Sequence, residues 1–185
     1  MATMPIWIMV LLWEDSSFSI LICIHPSRIK RTKEEIMLVF SSTKSTRRSL
    51  EEVKNGKAGL NQHRKYLLSR VPKSGDYANF QKDTITMKDL AYLTAKTGHE
   101  FALLTGKRED VLYHGYPTEC VFIDLLYDAL KAKHLRIYGH SHPAEIFPVP
   151  SGADRETLKE IHQKKSKIIS AMSCIEITYT ANRFD

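Results

Sequence analysis

Apolar positions along this chain recur in two periods, one suited to helices and one to strands. Met87, Leu90, Ala91 and Thr94 fall on one face at the roughly 3.6-residue spacing of an amphipathic helix. Thr86 and Asp89 open it, and Gly98 is placed to end it. A second run, with apolar residues at Val121, Phe122, Leu125, Leu126, Ala129 and Leu130, predicts a helix from Val121 to Lys131. Ser49 to Glu52 has capping-box spacing, with Gly56 as a stop, and Asn61 to Val71 reads as a helix halted at Pro72. Asp154 to Lys165 predicts a further helix, with Lys164 and Lys165 at the end that the helix dipole favours for cations. Strands are expected over Glu100–Thr105, Val111–His114, Leu135–His140, Lys167–Met172 and Cys174–Tyr179, and a turn over Lys73–Asp76. Helices alternating with strands predict an α/β fold, a mixed β-sheet flanked by helices.

The first quarter of the chain follows neither rhythm cleanly. Ile20–Ile24 and Ile36–Phe40 each suit a buried strand. Pro5–Trp13 is apolar but far short of the about 20 residues a membrane span needs. It lacks the basic flank and small-residue cleavage site of a signal peptide, so a buried strand is expected there too. Ser41–Ser49 is polar and basic, and Arg47 and Arg48 read as part of an exposed linker. The organisation expected is an extension over residues 1–48, a helical lead-in over 49–83 and the main domain over 84–185.

With 185 residues, 43% of them hydrophobic and 26% charged, the chain can build a full core. A metal is therefore expected to serve chemistry rather than to hold the fold. The net charge of +6 is spread along the sequence and not interleaved with aromatic residues, which argues against specific nucleic-acid binding. Cys23, Cys120 and Cys174 are odd in number and far apart, so a reducing, cytoplasmic setting without a membrane anchor is expected.

Chemistry concentrates in one stretch. Side chains on a strand alternate faces, so His140 and His142 share a face at the end of the strand from Leu135, while Leu135, Ile137 and Gly139 are expected on the other. Pro143 releases the chain into a loop that returns at Ser151 and Asp154. Ser151-x-x-Asp154 reads as a helix cap, but Asp154 can also offer a carboxylate oxygen. Two imidazoles and one carboxylate leave the fourth position of tetrahedral zinc open, as catalytic sites do.

The string His140-Ser141-His142-Pro143 followed by Ser151-x-x-Asp154, with an upstream Glu100, resembles the JAMM motif of the JAB/MPN family of zinc metalloproteases, most of all its bacterial, phage- or toxin-associated members. The resemblance covers about Thr84 to Asp185 and implies a cytidine-deaminase-like architecture. It further implies that His140, His142 and Asp154 bind Zn2+, that Ser151 assists the oxyanion, and that Glu100 is the general base. The implied activity is hydrolysis of a peptide or isopeptide bond by a metal-activated water, with a protein or peptide as substrate. Two departures stand out: the loop from His142 to Asp154 is one residue longer than in the commonest members, and Phe101–Leu104 lacks their glycine-containing run. Glu109 and Glu119 are rivals to Glu100, though one sits in a polar turn and the other at a helix start. The alternative function is a non-catalytic binding or scaffold domain of the same fold. A deaminase-type zinc site would need cysteine pairs that the chain lacks.

Overall fold

The computed structural model describes residues 49–182. The expected strands and linker between Pro5 and Arg48, including Arg47 and Arg48 themselves, lie outside the described residues. Residues 49–54 are helical. Then follow α1 (Gln62–Arg70), β1 (Tyr77–Gln81), α2 (Met87–Thr97), β2 (Phe101–Thr105), β3 (Glu109–His114), α3 (Asp124–Lys131), β4 (Arg136–His142), α4 (Gly152–Glu160), β5 (Lys165–Ser170) and β6 (Glu176–Thr180).

The six strands form one sheet in the order β1-β3-β2-β4-β5-β6. All neighbours are antiparallel except β4 and β5, which run parallel with His140 opposite Ile168 and His142 opposite Ser170. The sheet is thus mixed, and helices cover both faces. One core packs residues 49–54, α1 and α2 against Phe80, Phe101, Leu103, Leu112 and Ile169. The other packs α3 and α4 against Leu104, Val111, Tyr113, Ile137 and Ile168. Among the described residues no helix is long and apolar enough to cross a membrane.

The helix signals translate into bonds. Thr86 Oγ1 accepts the Asp89 backbone N–H, and Asp89 Oδ2 accepts that of Thr86, closing a capping box at the start of α2. Gly98 takes the left-handed conformation at its end, with φ 76°. Asp89 is buried, which alone would raise its carboxyl pKa. The hydrogen bonds from Thr86 and the Arg64 guanidinium at 2.8 Å outweigh that and hold it below the ordinary value.

Four expectations are corrected. First, the segment read as a helical lead-in contains β1, which pairs with β3 along its whole length. Ala78 and Phe80 point into the core while Tyr77, Asn79 and Gln81 face out, so a period of two was present but carried by only two inward residues. Second, α3 begins at Asp124 and not at Val121. Residues 120–123 alternate half-buried and exposed as an extended segment, pinned where Tyr113 Oη donates to the Val121 carbonyl. Third, α4 stops at Glu160, so Lys164 and Lys165 do not sit at its end. His162 turns left-handed (φ 53°), and the Gln163 side chain bonds both backbone groups of Ile137, drawing the chain into β5.

The fourth concerns the faces of β4. Leu103 is opposite Gly139 but Leu104 is opposite Ile137, so Tyr138 is an extra residue in β4, a bulge. The bulge resets the alternation. Ile137 therefore lies on the same side as His140, in the core under α3 and α4, and Leu135 packs there too. Gly139 does face the opposite side, as expected, against Met87.

At Gly139 a Cβ would stand 2.6 Å from the Met87 thioether and methyl carbon and 2.9 Å from the Lys167 carbonyl oxygen. The methionine can move, but the backbone of β5 cannot without breaking the parallel pair. Gly139→Ala is expected to lower the unfolding free energy by about 1–3 kcal/mol, the usual cost of overpacking, which urea denaturation would measure.

Candidate metal centre

His140 and His142 project from the end of β4 on one face, as their spacing requires, and their Nε2 atoms lie 3.0 Å apart. Asp154, in the first turn of α4, brings Oδ1 to 3.2 Å from His140 Nε2 and Oδ2 to 3.9 Å from His142 Nε2. Glu100, immediately before β2, places Oε1 4.0 Å from His142 Nε2. Glu100, His140 and His142 are all buried and their donor atoms lie within 4.8 Å of one another, a group that could hold a metal ion.

The donor set can be tested against the geometry of an ion. Ligands about 2.0–2.1 Å from a tetrahedral ion stand about 3.3 Å from each other. The 3.0 Å and 3.2 Å separations at His140 match two edges of such a tetrahedron. Two imidazole nitrogens with a carboxylate form a set suited to zinc and related ions. Asp154 is 19% exposed, the most open of the four side chains, so the site faces a cleft rather than being sealed.

The surroundings set the charges apart. Burial pushes the Glu100 carboxyl up to about 7, and neighbouring Asp154 and Glu145 add to the rise while His140 opposes it. Burial acts on Asp154 in the same sense, but the hydrogen bond and charge of His140 and the Ser151 bonds outweigh it and hold the carboxyl at about 2. His142 is lowered, first by burial and then by His140, which keeps its imidazole neutral and able to ligate. Cys120 hydrogen-bonds Glu100. Its burial, reinforced by the Glu100 charge, raises the thiol well above its ordinary value, so it remains a protonated donor.

Ser151 serves as the N-cap of α4: its Oγ accepts the Asp154 N–H at 3.0 Å, and its own N–H donates to Asp154 Oδ2 at 2.7 Å. Capping and site-building are therefore one arrangement, because the carboxylate that closes the box is the one aimed at His140. Glu109 stands at the far end of β3, bonded to Asn79, and is not at the site. Glu119 is exposed and lines the same cleft. His99 belongs to a separate pair with buried His114 and contacts Ser74, while His162 is an exposed turn residue.

Sequence reasoning assigned no role to Ser141, Cys120 or Glu145. Ser141 lies between the two histidines on the opposite face and is fully buried. Its Oγ accepts the Phe101 N–H at 2.9 Å and lies 2.6 Å from Thr94 Oγ1. It ties β4 to β2 and α2 directly beside Glu100. A buried hydroxyl at the centre of H-x-H was the available signal. Cys120 and Glu145 carried none, since their loops place them.

The cleft holds about 900 Å³ and lies between residues 117–122 and 143–150. Its only charged side chains besides the histidines are Glu100, Glu119, Glu145 and Asp154. Val121 and Val149, both more than half exposed, line it.

Comparison of the chain with protein-family models, with curated proteins and with solved structures finds no match.

Ser141→Ala removes an acceptor from a buried N–H and a partner from a buried threonine. It is expected to destabilise the protein by about 1–3 kcal/mol, the cost of leaving such groups unpaired, with the denaturation midpoint as the readout.

Proposed function

We propose that the six-stranded sheet with its helices, whose main part was expected over residues 84–185, is a JAB/MPN-type domain acting as a zinc-dependent metallopeptidase that hydrolyses a peptide or isopeptide bond. The observation that carries this reading is the convergence of two imidazoles, His140 and His142, with the carboxylates of Asp154 and buried Glu100 at one point. A structural ion would be expected to have four protein donors and no opening to solvent. Here the group faces a cleft.

His140, His142 and Asp154 would hold the zinc, which when bound would supply Lewis acidity to a carbonyl oxygen and make a water nucleophilic near neutral pH. Glu100, at the edge of the same space, accepts the proton of the attacking water and returns it to the leaving nitrogen. The Cys120 thiol bonds to its carboxylate, and the turn through Gly115 and Tyr116 fixes its backbone on both sides. Asp154 stays ionised through its bonds to Ser151. The Ser151 hydroxyl lies at the cleft wall, where a donor to the developing oxyanion is required. To do that it must keep its cap bond through an oxygen lone pair and turn its proton toward substrate. The open cleft with exposed apolar side chains suits an extended peptide better than a small polar molecule.

A binding domain of the same fold is the second reading. Against it stands the energetic cost of keeping Glu100 buried next to Asp154, a cost that recognition alone does not require.

Purified protein is expected to hold about one zinc per chain, lost in His142→Ala and strongly reduced in Asp154→Asn by elemental analysis. Chelation should abolish cleavage in a peptide-library digest, and added zinc should restore it. Glu100→Gln should keep the zinc and the denaturation midpoint while slowing cleavage at least about 100-fold. Equal zinc in wild type and His142→Ala would remove the metal centre. Full activity in Glu100→Gln would pass the base role to Glu119, the rival carboxylate that lines the same cleft.

A further inference from the structure

We infer that Glu145 is a positioning residue that orients His142 for the metal, a role that rests on the metal-centre reading above. Glu145 follows Pro143 in the loop after β4, and its Oε2 lies 3.2 Å from His142 Nδ1. The same oxygen accepts the Val149 N–H at 2.9 Å, so the carboxylate is fixed from two directions.

The chemistry of this contact assigns the proton. A glutamate at neutral pH is ionised and has only lone pairs to offer. Nδ1 must therefore be the donor, which leaves the lone pair of His142 on Nε2. Nε2 is the atom that lies 3.0 Å from His140 Nε2 and turns toward Asp154 and Glu100. Without the contact, an imidazole in water prefers neither orientation strongly, and part of the population would present an N–H to the metal position. A carboxylate on the far nitrogen also makes the ligating nitrogen more basic.

Glu145 is not itself placed as a ligand, because it meets the ring on the side opposite the point where the Nε2 atoms converge. Its loop is anchored as well. The Glu145 carbonyl accepts the hydroxyl of Ser170 at the end of β5, and that same Ser170 Oγ receives the Met172 and Ser173 N–H groups at 3.0 Å and 3.1 Å. The loop thus doubles back onto β5 and holds a carboxylate against the second histidine. His140 has no such carboxylate on its far nitrogen among the described bonds. The two ligands are oriented by different means, the first by packing against Tyr179 and the second by Glu145.

The test uses the full chain as wild type, Glu145→Gln and Glu145→Ala. Zinc affinity is measured by competition with a chromophoric chelator, and the His142 tautomer by imidazole 15N shifts in the zinc-free protein. Glu145→Ala should weaken zinc binding about 10- to 100-fold, the range for outer carboxylates on ligating histidines, and should shift His142 away from the Nδ1–H tautomer. Glu145→Gln keeps an acceptor without the charge and should lose less. If Glu145 only clamps the loop through Val149, Glu145→Ala will lower the denaturation midpoint of the zinc-free protein and leave the tautomer unchanged, which overturns the inference. Zinc affinity within about twofold of wild type, or a wild-type His142 carrying its proton on Nε2, also overturns it. A wild type that binds no zinc overturns the metal centre as well, whereas a zinc-binding wild type with an unaffected alanine variant overturns this inference alone.

Discussion

The parallel pairing of β4 with β5 is the constraint on which the site depends. Two parallel neighbours cannot be joined by a hairpin, so the chain leaving His142 must cross over the sheet before it can enter at Lys165. The crossover is α4, and its N-terminus lies just past the end of β4 from which the histidines project. A capping box needs an acidic residue three positions after its hydroxyl residue. Asp154 is that residue, and its carboxylate reaches both the Ser151 N–H and His140. One requirement of chain connectivity and one of helix termination together bring a carboxylate to a pair of imidazoles. Gly139 permits it from the other side, because a Cβ there would stand 2.9 Å from the Lys167 carbonyl oxygen of β5.

The bulge at Tyr138 divides β4 into two functional lengths. Below it, Ile137 belongs to the apolar floor under α3 and α4; beyond it, His140 and His142 continue on that same side. An unbroken alternation would have put Ile137 on the α2 face and left the floor of the cleft without its side chain. Bulges increase local twist and re-aim the residues that follow. Here the effect is to carry two polar side chains out of an apolar wall while Ser141, pointing the opposite way, locks the strand to Phe101 and Thr94.

Much of this was legible in the sequence, and the exceptions are physical. Capping boxes are local, so Thr86–Asp89 and Ser151–Asp154 could be read directly from spacing. The shared face of His140 and His142 follows from two residues of separation, and the bulge lies outside that interval. Glu100 was legible as the first residue of an expected strand, but its proximity to His142 depends on β2 pairing with β4, a long-range choice that no local pattern encodes. Strand β1 was missed because Ala78 contributes little apolar signal and its partner lies more than thirty positions on. The start of α3 was misread because Val121 and Leu125, which complete a helical stripe in the sequence, are both exposed. Glu145 could not be found this way at all: only the folded loop shows that it reaches Nδ1 of a histidine three residues earlier.

Two carboxylates share this small space, and their surroundings drive them in opposite directions. Asp154 is held down to about 2 by a histidine and by the cap of its own helix. Glu100, with a thiol for its hydrogen-bonding neighbour and an apolar wall around it, is pushed up to about 7. On the proposed reading, such a separation would divide the labour between a group that stays charged and one that exchanges protons. A cation on the imidazoles would draw the Glu100 value down again, because opposite charge favours the ionised form. Its protonation would then depend on whether the ion's charge is shared with an incoming substrate oxygen. On the metallopeptidase reading proposed above, a proton affinity that varies with the occupancy of the site is what a proton shuttle at Glu100 would require, while Asp154 would keep its charge.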